Sequence, residues 1–229
     1  MTSSFFYIAL TLAAYALALK ASKRLKHPLA NPLFWSAVIV IILIYLLPVS
    51  FEDYFSSMTI FDMLLLLSTV SLAVPLYKNL DSLKKNALPI LGGVLVGIVV
   101  SAGTIILFTK LLGIDKDLII ALLPKSITLG MSLPLIEEVG GYSAITAFSV
   151  IITGTSGAVF GPSILRAIRV DDPIAVGVAL GTTSHVSGTA VAYEMGEVEG
   201  SIASLCIAIT GLITIMLFPL ILMILDALP

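Results

Sequence analysis

Charge is scarce in this sequence: 11% of its 229 residues are Asp, Glu, Lys or Arg, against 59% hydrophobic residues. A water-soluble surface cannot be built from so few charges, which excludes the one or two soluble domains ordinarily expected at this length. Cysteine is nearly absent. The single Cys206 rules out a disulfide framework and a cysteine-rich metal site, and reads as a small apolar residue within a helix. No basic patch is large enough to grip a nucleic acid, and the formal net charge is -2. No nucleophile and base pair, metal-ligand spacing, P-loop or dinucleotide fingerprint occurs, so no enzyme, cofactor or metal is expected.

Long apolar runs take the place of what is missing, and mean hydropathy is +1.13. A span needs roughly 20 apolar residues, and eight segments approach this: 3–19, 33–49, 62–77, 88–111, 117–139, 143–165, 174–193 and 201–225. The chain therefore reads as an all-α polytopic membrane protein, a single integral membrane domain over 1–229 with about seven or eight transmembrane segments. Segment 3–19 reads as a retained first span and not a secretory signal, because Lys20, Lys23, Arg24 and Lys26 follow it and no small-residue cleavage site precedes them. Three segments are interrupted. The 62–77 run is short and carries Pro75; 117–139 holds Pro124, Lys125 and Pro134; 174–193 holds Gly177, Gly181, His185 and Gly188 among five Ser or Thr.

The positive-inside rule puts Lys20 to Lys26, Lys78, Lys84, Lys85, Arg166 and Arg169 in the cytoplasm. For Lys85 and Arg166 to share a side, 117–139 must be re-entrant or broken and not a complete crossing. That reading sets the N-terminus outside, the C-terminus inside, and the acidic groups (Glu52/Asp53, Glu137/Glu138, and Glu194, Glu197, Glu199) outside. A full crossing would put Arg166 and Arg169 outside.

Sliding the sequence on itself by 116 positions lays the first four apolar segments on the last four, and pairs 68–77 with 184–193 through both serines, Val70 with Val186 and Tyr77 with Tyr193. The preceding loops carry opposite charge, so an inverted structural repeat is expected, with repeats 1–113 and 117–229. Paired interrupted segments in inverted halves point to a secondary transporter, because unwound backbone at membrane depth survives only where it lines a cavity. Gly93, Gly97, Gly157 and Gly161 read as close helix packing; the run from Gly181 to Thr189 is too polar for contact alone.

Within these segments, His185 falls eleven residues in, about 16 Å deep at helical rise and near the bilayer midplane. It could hold a coupling proton, or be a neutral imidazole bonded to a facing Ser or Thr. Lys125, the only basic residue away from the ends of an apolar stretch, stands with Ser126 and Thr128 beside Pro124 and could neutralise a substrate carboxylate; snorkelling from a loop tip is the alternative. Thr182, Ser184, His185, Ser187 and Thr189 would line the site, with Thr69 and Ser71 from the opposed segment. Glu194 is a second candidate for coupling.

Pro124-Lys-Ser-Ile-Thr128, Gly154-Thr-Ser-Gly-Ala-Val-Phe-Gly-Pro162, Gly181-Thr-Thr-Ser-His185, Gly188-Thr-Ala190, Gly196-Glu-Val-Glu-Gly200 and Leu72-Ala-Val-Pro-Leu-Tyr77 together resemble the LrgB/CidB (YohK-type) family over most of the chain. The sequence departs from it at Val186, often glycine in relatives, and at Val191, often basic. The resemblance implies antiholin-like proteins that affect murein hydrolase activity and cell lysis beside a small LrgA/CidA-type partner. The family is also similar to the C-terminal part of the plastid glycolate/glycerate translocator, and bacterial relatives are linked to small carboxylates such as pyruvate. The expectation is a plasma-membrane carrier of small organic anions working by alternating access, with proton coupling at His185. Its alternative is an antiholin-like regulator acting with an LrgA/CidA-type partner. Its partners would be the bilayer and a small carboxylate; a homo-oligomer is left open.

Overall fold

The computed structural model describes residues 4–25, 32–71, 73–78 and 80–227, all of whose regular structure is helical. Five helices have the length and apolarity to cross a membrane by length and composition: Ser4–Arg24, Ala87–Leu111, Ser143–Ala167, Pro173–Met195 and Glu197–Leu225. The chain divides into two compact units, Met1–Leu67 and Ser68–Pro229. This boundary concerns compactness and falls elsewhere than the 113/117 junction between the sequence halves, which concerns repetition.

The first unit contains α1 (Ser4–Leu25), α2 (Pro32–Leu46), α3 (Phe51–Ser56) and the start of α4 (Thr59–Ser71). Ser50 caps α3 by accepting the Asp53 N–H at 3.0 Å. Tyr54 then meets α1, its ring edge-on to buried Tyr7 at 5.9 Å and its hydroxyl 2.9 Å from Thr11 Oγ1. Elsewhere α1 and α2 expose Phe5, Leu17, Ile41 and Tyr45, as helices facing hydrocarbon do.

The second unit begins within α4 and continues with α5 (Ala73–Lys78), α6 (Leu80–Lys85), α7 (Ala87–Leu111), α8 (Lys116–Leu122), a 3-10 turn (Leu123–Ser126), α9 (Leu129–Glu138), α10 (Ser143–Ala167), α11 (Pro173–Met195) and α12 (Glu197–Ala227). Left-handed residues close the helix ends: Gly113 after α7, Gly140 after α9 and Arg169 after α10. Each is followed by an N–H that bonds back to the helix, Ile114 to Thr109, Gly141 to Ile136 and Val170 to Leu165.

Two of the interrupted segments are the architectural core. In 116–138, α8 tightens into the 3-10 turn, then Ile127 (φ -104°, ψ 173°) and Thr128 (φ -71°, ψ 155°) run extended before α9 starts. Its two ends stay together: Asp115 to Leu118 and Tyr142 line one cavity of about 450 Å³. The chain therefore leaves this segment at the end where it entered.

Helix α11 starts sharply, with Pro173 in its first turn and Asp172 accepting the Ala175 N–H at 2.9 Å. At His185 its backbone leaves the helical region (φ 40°, ψ -128°) and the chain reverses. A side-chain carbon on Gly188 would collide with the carbonyl of Leu180, a residue that a straight helix would hold about 12 Å away. Ala192 shares a packed cluster with Val176 and Leu180, and both Gly177 and Tyr193 lie against the first turns of α12. Although 23 residues could cross a membrane, this hairpin returns to its starting end, which corrects the expectation of a simple crossing at 174–193.

The reversal also corrects sidedness: Glu194, Glu197 and Glu199 lie at the same end of the unit as Arg166 and Arg169, not opposite them. Gly93 and Gly97 on α7 face Val178 and Thr182, and Gly157 and Gly161 on α10 face Ser184 and Leu180. These contacts make α7 run parallel, and α10 antiparallel, to the first half of α11. From its start beside Gly177, α12 runs past Met131 and on to the cluster of Ile119, Leu135, Phe218 and Leu225. It ends opposite Arg166 and Arg169, where the sequence reading had put the C-terminus on their side.

Candidate functional site: a cavity between two reversing segments

The hairpin tips enter from opposite ends of the second unit and meet between α7 and α10. A cavity of about 700 Å³ opens there, lined by Ser101 and Thr104 of α7, Lys125 and Ser126 of the first tip, Thr153 and Ser156 of α10, and Thr182, Thr183 and Ser184 of α11. Val100, Ile105, Ile152 and Phe160 supply apolar walls. Lys125 is the only charged residue on this lining among the described residues, and it is half-buried. A lone ammonium with neutral hydroxyls around it can hold a carboxylate by one charge-assisted bond and several neutral ones.

The structure thus brings together Lys125, Ser126, Thr182 and Ser184, four of the residues singled out from sequence. Thr128 and Thr189 are buried but off this wall, and neither hydroxyl has a hydrogen-bond partner among the described residues. Ser187 is half-buried beside Gly154. Glu194 is exposed at the base of the hairpin. Ser71 is exposed at the end of α4 and is not on the described lining; Thr69 lies on α4, and its side chain falls outside the described residues.

His185 is 7% exposed, and its Nε2 lies 3.0 Å from the carbonyl of Val150 on α10. A carbonyl can only accept, so Nε2 carries the proton in this contact. The partner is backbone, where the sequence reading had offered a facing Ser or Thr. The ring fits because α10 has glycine at 154: a side-chain carbon there would sit 2.7 Å from His185 Nε2. His185 therefore ties the tip of α11 to α10 and stays off the lining of the large cavity.

The two hairpins present half-helix ends of one sign to this cavity. Its hairpin residues come from the first halves, 116–126 and 173–184, whose C-terminal ends carry partial negative charge. The half-helix N-termini at Leu129 and Val186 are not on the lining, so attraction for an anion here rests on Lys125. Sequence reasoning missed Ser101, Thr104, Thr153 and Ser156. Their signal was present as a pair of hydroxyls three residues apart on each of α7 and α10, a spacing that puts both on one face.

The profile of the LrgB-like family matches residues 11–224. Antiholin-like protein LrgB of Bacillus mycoides (strain KBAB4), of Bacillus cereus (strain B4264) and of Bacillus anthracis (strain CDC 684 / NRRL 3495) are each 35% identical over 217 residues, covering 94% of this chain and 94% of each relative. No solved structure matches the chain. The family profile and the relatives both extend over nearly the whole sequence: the chain belongs to the LrgB-like family.

Proposed function

We propose that the second unit is a carrier for a small organic anion that works by alternating access in the plasma membrane. One observation carries this reading: Lys125 and Ser126 from one reversing segment share a cavity wall with Thr182 and Ser184 from another that enters from the opposite end. Broken helices around a midplane site are costly for a passive plug, and they suit a protein whose two sides must open in turn. In this reading 116–138 and 173–195 are re-entrant, α7, α10 and α12 are the crossings of the unit, and 1–113 and 117–229 are the two inverted sequence repeats. Monocarboxylates of the pyruvate, glycolate, glycerate or lactate type carry the single charge that one lysine matches. Coupling to a proton at His185 would require that its bond to Val150 break during the cycle.

The relatives' name, antiholin-like, taken alone favours a second reading over transport: a regulator, which the family resemblance would make one of murein hydrolase activity acting with an LrgA/CidA-type partner. The two are separated by reconstituting the purified chain, alone, in proteoliposomes. Saturable uptake of one of the four acids, lost in Lys125→Gln, supports the carrier. No flux with any of them, together with altered autolysis in cells expressing the chain with its partner, supports the regulator.

A further inference from the structure

Next to the large cavity is a second, much smaller one of about 20 Å³, lined by Ser101, Ser126, Thr182, Thr210 and Thr214 together with apolar residues that include Ile127. Its size matches one water molecule or one small dehydrated ion. Its polar groups are neutral hydroxyls without exception among the described lining. Two of them stand out: Thr182 and Thr210 are 3% and 1% exposed, and neither Oγ1 makes a hydrogen bond of ordinary geometry. The Thr182 hydroxyl has only the sulfur of Cys206, a weak acceptor, to donate to, and Thr210 has no partner among the described residues. Buried hydroxyls left without partners are costly and call for a bound species.

The electrostatics of the position select the sign of that species. Leu123, Ser126 and Ile127 mark the C-terminal end of one half-helix, and Thr182 lies in the last turn of the other. Both ends direct partial negative charge toward the hydroxyls. Half-helix C-termini with neutral oxygens are a recurring setting for a monovalent cation in carriers, and the described residues of the lining include no carboxylate of the kind that divalent cations favour. We propose that this small cavity is a sodium site.

The inference rests in part on the carrier reading, because Ser101, Ser126 and Thr182 line both cavities. With the large cavity vacant, the Lys125 ammonium opposes a cation held next to it. An anion on Lys125 removes that opposition, so each ligand tightens the other by the same factor.

The test measures thermal stability of the purified protein in detergent as NaCl replaces choline chloride at constant ionic strength. Sodium is expected to stabilise it saturably and potassium much less. Thr210→Val is expected to raise half-saturating sodium about tenfold or more, while the same variant in choline melts no lower than the parent because a buried unpaired hydroxyl has gone. Thr109→Val removes a hydroxyl bonded to its own helix at the Ile105 carbonyl; Thr109 is on the described lining of neither cavity, and the variant should leave the sodium response intact. Equal responses to sodium, potassium and choline, or a sodium response unchanged in Thr210→Val, would overturn the site and assign the hydroxyls to water. Sodium stabilisation lost in Thr210→Val without anion uptake would keep the site and remove the carrier; uptake indifferent to sodium, with no stabilisation, would keep the carrier and remove the site.

Discussion

The two reversing segments of the second unit solve one problem, breaking a helix inside an apolar body, with different chemistry. In 116–138 the break spreads over a proline, a 3-10 turn and two extended residues, and large side chains surround it: Ile119, Leu123, Ile127, Met131 and Leu135 are all buried in one cluster. In 173–195 it is concentrated in one positive-φ residue, His185, and the surroundings are glycine contacts. The first design fills the space around the break with side chains, while the second removes side chains so that backbones can touch. Tolerance to substitution should therefore be opposite in the two segments.

The largest effect is expected at Gly181. A side-chain carbon there would lie 2.7 Å from the Cα of Ala203 and closer still to its carbonyl. No rotamer relieves a clash with backbone, so Gly181→Val should cost more than about 4 kcal/mol and leave little folded protein. Size-exclusion profile and thermal unfolding after detergent extraction provide the measurement. A well-folded Gly181→Val would show that the hairpin and α12 can separate without loss, and would end the proposed contrast.

Next comes Lys125, which has no counterpart in the second segment. Lys125→Gln keeps a polar side chain but removes the only charge among the described residues of the cavity lining. Uptake of a small carboxylate should fall about 100-fold or more, with the melting temperature near that of the parent. A fall in stability matching the fall in uptake would assign Lys125 to packing at its half-helix end.

The two breaks were not equally legible in the sequence. Pro124 and Lys125 announced the first, because neither sits comfortably in a helix crossing lipid. Gly181 to Thr189 flagged the second as unusual, yet the reversal at His185 was missed, because histidine at positive φ is uncommon and nothing local demands it. Long-range contacts impose that conformation: the room made by Gly154, the Val150 carbonyl and the packing of Gly188 on Leu180. The error spread from there, since one reversal moves Glu194, Glu197 and Glu199 to the opposite end from that expected. Lys125, Ser126, Thr182 and Ser184 were found because charge and hydroxyls in apolar runs are conspicuous. The α7 and α10 hydroxyls were not, because a pair of them looks like ordinary helix contact until the partner helices are known.

His185 separates backbone from side chain in the second break. With φ 40° and ψ -128°, residue 185 lies outside the left-handed helical well that asparagine favours, so asparagine and histidine share that strain while a β-branched residue adds to it. His185→Asn should lose chiefly the bond to Val150, about 1 kcal/mol, and His185→Val should lose that bond and add about 1–3 kcal/mol of backbone strain. Chemical or thermal unfolding of the two variants side by side gives the difference. Equal stabilities would show that the positive-φ conformation at 185 is not a constraint the fold maintains.

The smallest effect tests the first break on its own terms. Ile127 is 2% exposed and extended, a backbone region that suits a β-branched side chain. Ile127→Val keeps the branch and removes one buried methylene, so the expected loss is about 1 kcal/mol, that of an ordinary core truncation. The neighbouring aliphatic side chains can relax around the gap, unlike the backbone facing Gly181. If Ile127→Val instead destabilises as severely as Gly181→Val, then the first tip is packed as rigidly as the second. Bulk and glycine would then be two ways of building equally intolerant hinges, and a carrier would have to move these segments as fixed bodies instead of flexing them at their breaks.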